Sequence, residues 1–130
     1  MTNVVSGLQV WPLVIRKHVM AELPFMATEN ILMAAVKAGG DRQTLHEAIR
    51  EHSVAAGERV KREGAENDLL DRLAADPRFA AVKDRLPALV DPVLFIGRAP
   101  EQVDEFVRDD VVPWLTAHPP HHAATDKVNV

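Results

Sequence analysis

A chain of 130 residues and 14.4 kDa is long enough for one ordinary domain with its own core. Apolar residues make up 47% and charged residues 26%, which excludes a disordered chain; Lys, Glu, Asp or His interrupts every apolar run before the roughly 20 residues of a spanning helix. The net charge of −4, with Lys and Arg scattered, leaves no basic stripe for a phosphate backbone, and the absence of cysteine excludes disulfides and thiolate ligands. Neither nucleic acid nor a membrane is therefore expected as a partner, and the composition suits a reducing cytoplasm.

Thr2 to Val10 reads as the tail of an earlier helix. Pro12 suits the first turn of a helix reaching Leu23 through Leu13, Val14, Ile15 and Val19. Pro24 should separate it from a second helix, Phe25 to Ala38. Apolar residues surround most of that helix (Phe25, Met26, Ile31, Leu32, Met33, Ala35, Val36), so it should be central and buried. Gly39 and Gly40 offer the backbone freedom of a helix C-cap.

Asp41 is placed to accept from the free amides of the next helix, in which Leu45, Ile49, His52, Ala56 and Val60 recur at three- and four-residue steps until Gly64. Asn67 or Asp68 then caps a short helix with Leu69, Leu70 and Leu73, which Asp76-Pro77 ends because the residue before proline avoids the α region. Arg78 to Val90 should hold short helical pieces. Asp91-Pro92 and Gly97-Arg98-Ala99-Pro100 read as loop, and Val103, Val107, Val111 and Trp114 then line one face of a last helix. No strand pattern or internal repeat is evident. The expectation is an all-α domain of five or six helices over residues 1–116, with residues 117–130 a flexible tail.

Little in the chain points to catalysis. Its serines are Ser6 and Ser53, the latter inside the long helix. His46 with Glu47 or Glu51 has the makings of an acid–base pair, but such neighbours more often form surface ion pairs worth under about 1 kcal/mol. His52 lies on an apolar face, where a histidine is usually packed and hydrogen-bonded rather than ligating. The tail histidines His118, His121 and His122 lack the fixed geometry a metal site needs. The charges from Arg59 to Asp68 favour capping of helix ends over anion binding, and Arg98 is expected to tie its loop to carbonyls or a carboxylate.

Several blocks in one order carry a family resemblance: Asn3-Val4-Val5-Ser6-Gly7-Leu8; Glu22-Leu23-Pro24-Phe25-Met26-Ala27-Thr28-Glu29-Asn30-Ile31, continuing to Gly39-Gly40-Asp41-Arg42-Gln43; Glu63-Gly64-Ala65-Glu66-Asn67-Asp68-Leu69; and Gly97-Arg98-Ala99. From about Asn3 to Leu115 the chain resembles the C-terminal part of adenylosuccinate lyases, in the fumarase and aspartase superfamily. Ile96 departs from the threonine that the family favours before Gly-Arg-Ala, which puts a polar role of that position in doubt.

The resemblance implies a homotetrameric enzyme without a cofactor. It eliminates fumarate from adenylosuccinate and a related succinyl-carboxamide ribotide in purine nucleotide synthesis, using a serine base on a signature loop and a histidine acid from another domain. This chain has no Ser-Ser or Met-Pro pair of that loop, so no catalytic, substrate-binding or metal-binding residue carries over. The expectation is a portion that is not an enzyme alone and that packs on the remainder of a lyase subunit or on itself, burying residues such as Val5, Leu8, Val10 and Trp11. Arg42, His46, Asn67, Asp68 and Arg98 are the candidates for contacts that brace an active site from behind. The alternative is a stand-alone helical interaction module derived from the lyase.

Overall fold

The computed structural model describes residues 2–119, and the tail histidines His121 and His122 lie outside them. The fold is all-α, with no strand among the described residues. Contacts divide the chain into two compact units, one reaching Phe95 and the other starting at Ile96.

In the first unit, α1 (Thr2–Ser6) precedes α2 (Pro12–Met26), with Pro12 in its first turn. Pro24 does not end α2 as the sequence predicts; the helix runs to Met26, and the chain then bends by 47° into α3 (Thr28–Lys37). A proline ring removes one amide and crowds the carbonyl four residues back, so a kinked helix is an alternative to a terminated one. At the joint the Ala27 amide still donates to the Leu23 carbonyl at 2.9 Å, and the Thr28 hydroxyl donates to the Phe25 carbonyl at 3.0 Å.

Helix α3 is central but not enclosed. Ile31, Leu32, Ala34 and Ala35 are buried, whereas Met26 and Met33 are exposed, the latter taking a contact from the Arg42 guanidinium at 3.5 Å. The amides of Gly39 and Gly40 close the helix end onto the Val36 and Ala35 carbonyls, with Gly39 at a φ of 99°. Helix α4 (Arg42–Glu63) starts where the Asp41 carboxylate accepts from the Thr44 amide at 2.9 Å and stops at Gly64, which is left-handed with a φ of 65°.

After α5 (Leu69–Ala75), Pro77–Arg85 forms a 3-10 segment, followed by α6 (Leu86–Leu89) and a 3-10 turn at Pro92–Phe95. These short pieces lay Phe79, Val82, Leu86 and Val90 against Leu23, Ile31, Leu69 and Leu73 in one buried cluster. Each such side chain contributes about 1.5–3 kcal/mol by leaving water, so irregular backbone here is held by the core and not by helix propensity.

The second unit contains α7 (Ala99–Phe106), a π-helical turn (Val107–Val111) and α8 (Val112–Ala117), joined with α-helical dihedrals throughout. Val103, Val107 and Trp114 are exposed and Val111 is half-buried. His118 is held at the helix end: its ring stacks on Trp114 with centroids 4.5 Å apart, and its Nδ1 lies 2.9 Å from the Trp114 carbonyl.

Candidate functional site

The polar side chains of the first unit gather at the corners where α4 joins its neighbours. At the α4–α5 corner, the Asn67 side-chain amide donates to the Ala21 carbonyl of α2 at 2.9 Å, and its oxygen accepts from the Leu69 amide at 3.1 Å. Asn67 therefore caps α5. Asp68 does not cap; it accepts from Arg72 Nε at 2.8 Å and from Arg59 Nη1, and Arg59 also meets Glu63 at 3.5 Å. The Arg72 hydrogen bond, with that of Arg59 behind it, holds the Asp68 carboxyl below its ordinary pKa.

The second corner joins α4 to the end of α5. His52 Nε2 lies 2.8 Å from Asp76 Oδ2, and the Asp76 side chain is only 6% exposed. Arg78 grips the same carboxylate through Nε and Nη2 at 2.9 and 2.7 Å, while its backbone amide donates to Oδ1 at 2.9 Å. Arg78 also reaches Glu51 at 3.6 Å. The guanidinium, together with the contact to His52, keeps Asp76 well below the usual carboxylate range.

Arg42 links α4 back to α3, touching Met33 and meeting Glu29 at 3.7 Å. His46 lines a small cleft of about 240 Å³ with Thr28, Glu29, Arg50 and Ser53. Its neighbour Glu47 is taken by Arg50 through two hydrogen bonds of 2.9 and 2.7 Å. A wider groove of about 600 Å³ lies between α2 and α4, lined by Glu22, Phe25, Val54, Gly57 and Lys61 among others. In the second unit, Arg98 donates to Glu105 at 2.9 Å.

The five bracing candidates thus do not form one constellation. Asn67 and Asp68 share a corner, Arg42 and His46 sit on the first turns of α4, and Arg98 is tied within its own unit. Arg59, Arg72, Asp76 and Arg78 complete the two networks and were not singled out as a set by sequence. The four-residue step from Asp68 to Arg72 and the Asp-Pro pair at Asp76 were the available signals.

Both carboxylates at these corners are engaged by guanidinium groups. A carboxylate whose pKa is pulled down by guanidinium is a weak general base, and Asp68 and Asp76 are both so held. Ser53 Oγ is buried without a hydrogen-bond partner, so no histidine activates it as a nucleophile. Among the described residues, no group of three or more His, Cys, Asp or Glu is placed to hold a metal ion, and no single helix is long and apolar enough to cross a membrane.

Residues 24–106 match the family model for the adenylosuccinate lyase C-terminus, a stretch that includes Asn67, Asp68, His52, Asp76 and their arginine partners. The chain belongs to this family. Over 109 residues it is 53% identical to adenylosuccinate lyase of Schizosaccharomyces pombe and 50% identical to that of Saccharomyces cerevisiae, in each case 84% of this chain and 23% of the relative. Adenylosuccinate lyase of Schistosoma mansoni is 39% identical over 117 residues, or 89% of this chain and 24% of the relative. The chain spans about a quarter of the length of these lyases. Membership of this family accounts for the order of blocks from Pro24 to Phe106, including Asn67 and Asp68.

Proposed function

We propose that this chain is the scaffold portion of an adenylosuccinate lyase subunit, contributing to the elimination of fumarate from adenylosuccinate without supplying a reacting group. Proton abstraction from carbon needs a base, an acid and charge stabilisation within hydrogen-bond reach of one another. The polar groups here are instead committed to helix corners, where they fix the angles between α2, α4 and α5. Arg42, His46, Asn67 and Asp68 act by keeping those corners rigid, and Arg98 by fixing the start of α7. In this reading residues 1–116 are the working domain.

The observation that carries the proposal is the state of α1 and α2. Val5, Leu8, Val10, Trp11 and Leu13 are 68%, 65%, 62%, 63% and 82% exposed. Farther along α2, Val14, Ile15, Val19 and Met20 expose apolar surface as well. Exposed apolar area on this scale, with Arg16, Lys17 and His18 as the polar residues between, marks an interaction surface. Its occupants are further helices of a lyase subunit, with other subunits beyond them.

A chimera tests this. Replacing the matching C-terminal segment of the Schizosaccharomyces pombe lyase by this chain should leave an active enzyme, and adding Trp11→Asp with Leu13→Asp should abolish assembly and activity together. A folded chimera that assembles but is inactive would count against a scaffold role that the relatives share.

A further inference from the structure

We propose that the groove between α2 and α4 is a binding site for a free aromatic α-amino acid, held by its ammonium and carboxylate at one end and by its ring at the other. The groove lies wholly within the first unit, and none of its lining residues belongs to the apolar surface of α1 and early α2.

The groove, of about 600 Å³, is of the size of small-molecule sites, and its lining includes Glu22, Phe25, Ser53, Val54, Gly57 and Lys61. Its two ends differ. Glu22 also borders, with Val60 and Asn67, the cleft at the α4–α5 corner, whereas Ser53 also borders the cleft at Thr28 and His46. The arm from α2 to α3 therefore runs antiparallel to α4, with Glu22 at the Lys61 end and Phe25 nearer Ser53. Along α4 those two ends are about 12 Å apart. Among the described residues, neither Glu22 nor Lys61 has a hydrogen bond or ion pair, whereas Arg62 and Glu58 beside them meet at 3.4 Å. An uncommitted carboxylate on one wall and an uncommitted ammonium on the other complement a zwitterion. A ligand with one charge would be opposed by one of the two walls.

Beyond the charged end the groove turns apolar. Phe25 packs against the core with part of its surface open, and Val54 is 51% exposed. Gly57 follows Val54 by one turn, and a Cβ built there meets nothing within 4 Å. Its φ is not in the left-handed region, so neither backbone conformation nor a crowding neighbour calls for glycine in mid-helix, where alanine is more stable. Bare backbone at that point lets a flat ring approach α4 closely, with Phe25 as its aromatic neighbour. Ser53 Oγ, enclosed and without a hydrogen-bond partner, closes the far end as an uncommitted polar atom. An aromatic α-amino acid matches this order of features, because both of its charges sit on one carbon and its ring lies beyond them.

The experiment is amide-correlation NMR on the full 130-residue chain titrated with L-phenylalanine, alongside hydrocinnamate, which lacks the ammonium, and phenethylamine, which lacks the carboxylate. L-Phenylalanine should shift the amides from Ser53 to Arg62 saturably, with roughly millimolar affinity or tighter, and each analogue should bind roughly tenfold or more weakly. Lys61→Gln should remove the advantage over phenethylamine, and Glu22→Gln the advantage over hydrocinnamate. Gly57→Leu should fill the groove and abolish binding while circular dichroism shows the helix content retained. No saturable shift at these amides, an analogue that binds the unaltered chain as tightly as the amino acid, or undiminished binding by Gly57→Leu would each overturn the proposal.

Discussion

Asn67 and Ala21, 46 positions apart, are joined by a hydrogen bond of 2.9 Å from the Asn67 side-chain amide to the Ala21 carbonyl. Through this bond one side chain fixes the α4–α5 corner onto α2 while its oxygen caps α5 at the Leu69 amide. Asn67→Ala should cost about 1–2 kcal/mol, read as a lower midpoint in urea denaturation with an unchanged slope. Asn67→Asp keeps the acceptor for Leu69 and loses the donor, so it should fall between the alanine variant and the native chain. Equal stability for all three would show that the corner does not depend on this side chain.

The second network gives a dependence on pH. The Asp76 carboxyl titrates below its ordinary value of 3.8 in the folded chain, chiefly through Arg78. A carboxyl so depressed stabilises the fold above its unfolded pKa, and that contribution is lost as pH falls toward the folded value. Asp76→Asn should therefore lower stability by about 2 kcal/mol at neutral pH, with the difference from the native chain shrinking below about pH 4. A gap that persisted into acid would assign the effect to packing rather than to charge.

Gly40 is required for space rather than for its φ. A Cβ built there would lie 2.5 Å from Leu45 Cδ1 and 3.2 Å from the Ala35 carbonyl oxygen. Leu45 is 2% exposed and has little room to move, so Gly40→Ala should cost about 1–3 kcal/mol of overpacking. Gly40→Ala with Leu45→Val should recover part of that loss, as thermal denaturation of the pair of variants would show.

Phe79 is wholly buried although it sits on a 3-10 segment with poor intrinsic stability. Phe79→Ala should cost about 3–5 kcal/mol and loosen the stretch from Pro77 to Leu89 as a unit, seen as faster amide exchange across those residues. Exchange accelerated at Phe79 alone would contradict the view that this side chain pins the segment.

Local signals in the sequence located most helix ends. Asp41, Gly64 and Asp76-Pro77 act as the cap, stop and break that their chemistry predicts, because each works through backbone atoms a few residues away. Pro24 misled, since proline specifies a lost amide but not whether the helix ends or bends, and packing of Leu23 and Ala27 into the core decided for a bend. The partners of His52 and Asn67 lie 24 and 46 positions away, so period and propensity carried no information about them. The stripe through Val103, Val107 and Trp114 was legible as a face, but a period identifies a face without naming what covers it.

The central claim is that these helices support an active site without furnishing its reacting groups. Incubating the purified 130-residue chain with adenylosuccinate and following fumarate by absorbance tests it most directly. The expected result is a rate indistinguishable from the buffer blank at every pH at which the chain is folded. Saturable fumarate release that tracks the folded chain through purification, and that disappears on Asp76→Asn or His46→Ala without loss of helix content, would contradict the account.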